Sequence, residues 1–107
     1  MANRESSGKI RARIRDGVVT VKVLLKHPME TGSRKHPLTG MLIPRHYIRE
    51  VVCERNGKPV LTLDWGWGVA AKPYLSFDIK GGKAGDLVAI RWLDNKGETG
   101  RIEAEVK

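Results

Sequence analysis

What this sequence has little of narrows it first. There is one cysteine, Cys53, so an internal disulfide is excluded and cysteine usage is silent on the redox compartment. Aromatic residues are only 6% of the chain. No apolar run is long enough to carry a helix across a bilayer. The first eight residues, Met1 to Gly8, lack the apolar stretch of a secretory signal, which taken alone reads as cytoplasmic. Helical periodicity is nearly absent, so no glycine-rich phosphate loop leading into a helix is available. A chain of 107 residues has room for one domain with a modest core, and a large enclosed active site is not expected in it.

What is present is alternation. Ile10, Ala12 and Ile14 alternate with Arg11, Arg13 and Arg15; Val19, Val21, Val23 and Leu25 alternate with Thr20, Lys22 and Lys26, with Leu24 breaking the polar row. The same period runs through Leu61, Leu63 and Trp65; Leu75, Phe77 and Ile79; Val88, Ile90 and Trp92; and Ile102, Ala104 and Val106. Successive side chains of a strand point to opposite faces, so each run predicts one buried and one wet face. Residues 47–55 also read as a strand, but with apolar groups on both faces, as a strand covered on both sides would have. Asp16-Gly17 and Asn56-Gly57 supply two-residue hairpin turns, and 81–85 and 94–97 supply longer ones. The pattern predicts an all-β fold, an immunoglobulin-like β-sandwich of about seven antiparallel strands without a disulfide, with 1–8 as a flexible N-terminus and 9–107 as a single domain.

Two segments depart from the alternation. Residues 26–46 carry Pro28, Pro37 and Pro44 with Gly32 and Gly40, which excludes a central strand and leaves a long connection of the functional kind. Residues 64–74 interleave Trp65 and Trp67 with glycines, a poor regular strand.

The net charge is +8 and the pI about 10.0, a balance that favours acidic partners, nucleic acid or small anions. Lys9, Arg11, Arg13 and Arg15 form one basic row; Arg34, Lys35, His36, Arg45, His46 and Arg49 form a second basic region. A solvated surface is the competing reading for both. The three histidines, His27, His36 and His46, fall in or beside the long connection at spacings that match no metal-ligand pattern, and are read as surface or turn residues. Cys53 sits mid-strand with no helix N-terminus to activate it, and Asp64 and Asp78 are isolated strand carboxylates. The residues therefore indicate no enzyme, no cofactor and no metal. A basic β-sheet that binds nucleic acid is the rival reading; few aromatics and no signature of a known module speak against it.

Several segments resemble the SoxZ family. They are Leu25-Lys26-His27-Pro28-Met29-Glu30-Thr31-Gly32 with Arg34; Ile43-Pro44-Arg45 with Tyr47-Ile48; the Asn56-Gly57 hairpin; 69–75 with Phe77; and Trp92 with Asp94-Asn95 and Gly97. The resemblance runs through residues 18–97, in order, and implies a great deal. Members of the family pair with SoxY in a heterodimeric periplasmic carrier, in which a SoxY cysteine near a glycine-rich C-terminus holds the sulfur substrate while thiosulfate-oxidation enzymes dock. They carry no catalytic residues and no cofactor, and they reach the periplasm together with SoxY, without a signal peptide of their own. The C-terminal residues 102–107 here read as a strand with no cysteine, which fits the non-carrier subunit. On this resemblance the expected partner-binding residues are His27, Met29, Arg34, Met41, Ile43, Arg45, Tyr47, Arg49, Cys53 and Trp67, with Leu42 beside them. Apolar and aromatic groups would anchor the carrier subunit, and basic groups would draw in enzymes or the anionic sulfur adduct.

Overall fold

The computed structural model describes residues 8–65 and 74–107. Its elements are seven strands: β1 (Gly8–Arg15), β2 (Val18–Leu25), β3 (Ile48–Arg55), β4 (Lys58–Asp64), β5 (Tyr74–Lys80), β6 (Leu87–Asp94) and β7 (Thr99–Glu105). All pairings are antiparallel. One sheet has the order β1-β2-β5 and the other β4-β3-β6-β7. This is the expected immunoglobulin-like sandwich, with β4 kept beside β3 by its hairpin. Among the described residues there is no helix, and Cys53 is a free thiol.

The alternation in the sequence sets which faces meet. Val19, Val21 and Val23 of β2 are fully buried, facing Val51 and Cys53 of β3 and Val88 and Ile90 of β6 in one core. Ile10, Ile14, Leu75, Phe77 and Ile79 pack on that core from the strands either side of β2. Leu24, which breaks the polar row of β2, stays on the outer face at 42% exposure. The hairpin turns are as read: Asp16 and Asn56 take φ of 52° and 51°, the left-handed conformation that short Asx side chains tolerate. On the far side, the chain end docks on β1, with the Ile14 amide donating to the Lys107 carbonyl at 3.0 Å.

The two-faced character of residues 47–55 has a local cause. The β3–β6 register shifts between Ile48 and Glu50, so Ile48 turns inward out of phase and joins Val51 and Cys53 in the core. Val52 alone among the apolar residues of β3 faces outward, flanked by Thr62 and Arg91 in its own sheet.

Trp92 of β6 lies over Gly100, its register partner on β7. A Cβ at Gly100 would overlap the indole ring, so only glycine leaves the ring room to lie flat against the sheet.

Candidate partner-binding site

The long connection between β2 and β3 is neither a central strand nor a formless loop. It folds back on itself as an irregular hairpin, here called the arm. Glu30 and His46 exchange two backbone hydrogen bonds of 2.7 and 2.9 Å. Further out, the Ile43 amide donates to the Arg34 carbonyl at 2.8 Å and the His36 amide to the Met41 carbonyl at 2.8 Å. Prolines and glycines prevent a continuous ladder, so the arm pairs only where donors remain. Its tip presents Leu38, Met41 and Leu42, which are 89%, 70% and 60% exposed.

The base of the arm is clamped to the β6–β7 turn. The side chains of His27 and Asp94 are 2% and 0% exposed and that of His46 is 17% exposed. Asp94 Oδ2 lies 3.0 Å from His27 Nε2 and 2.7 Å from His46 Nε2. Its Oδ1 accepts from the amides of Lys96 and Glu98 at 2.9 and 2.8 Å. The His27 and His46 rings meet edge to face at 4.5 Å, and His27 meets Trp92 in the same way at 5.1 Å. Asn95 completes the clamp, its Oδ1 accepting from the Tyr47 amide at 2.8 Å and its Nδ2 donating to the Arg45 carbonyl at 3.0 Å.

The electrostatics follow from these bonds. Burial pushes the Asp94 carboxyl upward, but hydrogen bonds from His27, the Glu98 amide, His46 and the Lys96 amide outweigh it and hold the group at about 2. Burial is also the main influence on His27 and depresses it below 6.5, against the opposing pull of its bond to Asp94. The Met29 amide donates to His27 Nδ1 at 3.1 Å, so the proton of neutral His27 sits on Nε2 and points at Asp94.

That tautomer decides what the cluster can do. Ligand atoms of His27, His46 and Asp94 lie within 4.8 Å of one another, the donor set of a small metal site. Coordination through His27 Nε2 would move its proton to Nδ1, where the Met29 N–H already points. The three residues therefore fit a hydrogen-bonded strut better than a metal centre. Asp94 already accepts four hydrogen bonds, two on each oxygen, which leaves it poorly placed to act as a general base.

Three of the segments that carry the family resemblance, 25–34, 43–48 and 92–97, meet here; the Asn56-Gly57 turn lies at the opposite end of β3, bonded to Asp86 and Leu87, and residues 66–73 lie outside the described residues. In the run from His27 to Gly32, His27 binds Asp94, and Met29 is buried at φ 51° with its sulfur 3.4 Å from the Ile48 amide. Glu30 holds Arg34 through two bonds of 3.1 and 2.6 Å. Gly32 takes φ +91°, with the stem of Arg45 packed where a Cβ would stand. The motif is a fastening for the arm.

The expected partner-binding residues divide accordingly. Met41 is open to solvent at the tip, and Ile43 is half-buried behind it. Arg34 is engaged by Glu30, and Arg45 donates to the Thr31 carbonyl at 3.2 Å, so both help shape the arm. Tyr47 packs partly on the core and Arg49 is exposed at the start of β3. His27, Met29 and Cys53 differ from the expectation of a surface position: their side chains are buried, in the base of the arm and in the core. Burial, with the nearby Glu54 charge adding, drives the Cys53 thiol up to about 12, so it is inert. Trp67 lies outside the described residues.

Sequence reading missed the role of Asp94, which serves equally well as an ordinary turn residue. It also read His27 and His46 as surface or turn histidines; they are joined instead through one carboxylate. His36 is an exposed turn residue as expected, its Nδ1 accepting from the Leu38 amide at 3.2 Å. Leu38 was passed over, although a leucine between Pro37 and Gly40 has no core to enter.

No curated protein matches the chain. A family model described as "Sulphur oxidation protein SoxZ" matches residues 9–105, which takes in all seven strands apart from Gly8, the arm and the clamp. With nearly the whole chain covered by that match, this protein belongs to the SoxZ family of sulfur-oxidation proteins.

Proposed function

We propose that the chain is the non-catalytic partner of a SoxY-like carrier subunit in a heterodimeric sulfur-compound carrier. The carrier subunit would hold the sulfur on a C-terminal cysteine, and this chain would stabilise it and help dock the enzymes of thiosulfate oxidation. The observation that carries the reading is the arm: a clamped, preorganised hairpin that presents Leu38, Met41 and Leu42 to solvent. Exposed apolar anchors on a rigid support are what a protein interface needs, since fixing the support beforehand lowers the ordering cost of binding. A catalytic role finds no support, because the sole thiol is buried and the buried carboxylate is saturated with hydrogen bonds. The family's residence in the periplasm, reached together with the carrier subunit, is part of the same proposal.

Co-expression with a SoxY-like chain, followed by size exclusion and mass spectrometry, tests it. The expected result is a stoichiometric complex that survives high salt, with any sulfur adduct on the partner's cysteine only. Replacing Leu38, Met41 and Leu42 with serine should weaken the complex by about 2 kcal/mol or more, roughly thirtyfold in Kd, without loss of fold. A wild-type chain that forms no complex, or a sulfur adduct on Cys53, would contradict the proposal.

A further inference from the structure

The two outer faces of the sandwich carry charge in opposite ways. On the four-stranded sheet the outward cations are paired within an acidic face, Arg91 with Glu54 at 3.1 Å and Arg101 with Glu103 at 2.6 Å, beside the further exposed carboxylates Glu50, Asp64 and Glu105. On the three-stranded sheet they are not. The register places Lys9, Arg11, Arg13 and Arg15 of β1 in line, Lys22 of β2 beside Arg11, and Lys80 of β5 at the Arg15 end. The outward carboxylate in the three strands is Asp78, which accepts a hydrogen bond from Thr20 at 2.9 Å. Six cations against one anion give this face a net of +5, more than half of the chain's +8. Among the described residues none of the six cations makes an ion pair.

Such an arrangement is held in place by something other than solubility. Lysine or arginine on an edge strand guards against sheet extension, and β1 is an edge strand. That duty is met at the edge, yet the cations continue across β2 to β5, the opposite edge. Like charges on alternate residues stand about 7 Å apart, well inside a Debye length, so they repel unless an anionic surface covers them. The opposite face of the same sandwich carries the reverse excess, of carboxylates, so a dense row of cations is not what this fold needs to stay wet.

We infer that the outer face of the β1-β2-β5 sheet is a docking surface for acidic protein surfaces, those of the enzymes that act on the carried sulfur. The inference rests on the carrier-subunit reading above and adds a second surface, separate from the arm. Three strands of this length offer about 400 Å² of flat face, the size of a transient, electrostatically steered encounter rather than of a permanent dimer. A carrier that visits several enzymes in turn needs contacts of that kind, with fast association and fast release. Nucleic acid is the poorer occupant. Tyr74, at 57% exposure, is the outward aromatic ring of the three strands and stands at one end, whereas single-strand binding uses successive stacking rings. Anionic membrane is poorer too, since the outward apolar side chains are few and split, Leu24 and Tyr74 at one end and the half-buried Val18 at the other.

The test uses the intact complex with the carrier subunit, wild type or with Lys9, Arg11, Arg13 and Arg15 all changed to glutamine. Association with the oxidising and the hydrolysing enzyme of thiosulfate oxidation is followed by stopped flow from low to high salt. The expected result is association about tenfold slower for the variant at low salt, with the difference vanishing at high salt. A control with Lys9→Arg, Arg11→Lys, Arg13→Lys and Arg15→Lys should keep the wild-type rate. Unchanged association by the glutamine variant, with the carrier complex intact, would overturn this inference and leave the carrier reading standing. So would loss of the carrier subunit from the glutamine variant alone, which would make the face its interface. Binding of a thymidine 20-mer or of phosphatidylglycerol vesicles that is lost in the variant, while enzyme association is unchanged, would overturn it in favour of the other occupant. Failure of the wild-type chain to pair with the carrier subunit would sink the reading of the previous section instead.

Discussion

Changing Asp94 to asparagine removes a charge but almost no volume, so it isolates what the clamp is worth. The amide oxygen of the new residue can keep accepting from Lys96 and Glu98, which now bond to Oδ1 at 2.9 and 2.8 Å. Its amino group then faces the Nε2 atoms of His27 and His46 in place of Oδ2. His27 cannot answer by changing tautomer, because the Met29 amide donates to its Nδ1. A buried N–H is thereby turned against another N–H, and removing one partner of such a buried pair costs about 3 kcal/mol. The carboxyl's displacement from 3.8 to about 2 gives a second figure, about 2 kcal/mol for its protonation. For a domain of this size the variant should melt about 12 °C or more below wild type. Urea and thermal unfolding followed by tryptophan fluorescence would read it, with Asp64→Asn on exposed β4 as a control expected within about 0.5 kcal/mol of wild type. An Asp94→Asn loss below about 1 kcal/mol would refute the claim that this carboxylate fastens the arm.

Acidification should destabilise the fold in two stages. His27 binds fewer protons folded than unfolded, so its contribution is complete above pH 6.5 and declines as pH falls through 6.5 toward its depressed folded value. Asp94 adds a further loss as pH falls from 3.8 toward about 2. Urea midpoints at pH 7.5 and 5.5 check the first stage; a midpoint that rises on acidification would contradict it. Gly100→Ala should cost about 2 kcal/mol by forcing its methyl into the Trp92 ring, measurable by urea unfolding, and a neutral result would show that the ring has slack. Cys53 should resist iodoacetamide in the folded chain at pH 8 and react on unfolding, because it is buried and its thiol is held up at about 12; rapid native labelling would place it at the surface.

Much of this architecture was legible in the sequence because strand alternation and Asx-Gly turns are local signals. Ile10, Val21, Ile90 and Ile102 declared their faces two residues at a time, and the rows of cations on β1 followed from the same period. The bulge at the start of β3 was not legible: a one-residue slip changes which face Ile48 joins, and nothing in residues 48–50 announces it. The clamp was hidden for a different reason. Asp94 lies 67 residues from His27 and 48 from His46, and a turn aspartate looks the same whether it binds two histidines or water. The arm could be recognised as special from its prolines and glycines. Which of its side chains point to solvent depended on where its few backbone pairs formed, and those are set by the clamp.

The central claim, that the arm tip meets the carrier subunit, is tested most directly by hydrogen exchange on this chain, alone and in complex with a SoxY-like subunit. The account predicts new protection concentrated at residues 36–43, including the Leu38 and Leu42 amides, with little change at Ala89 and Ile90, which already sit in a paired core strand. Protection confined to other surfaces, with the arm tip exchanging as fast in the complex as in the free chain, would contradict it.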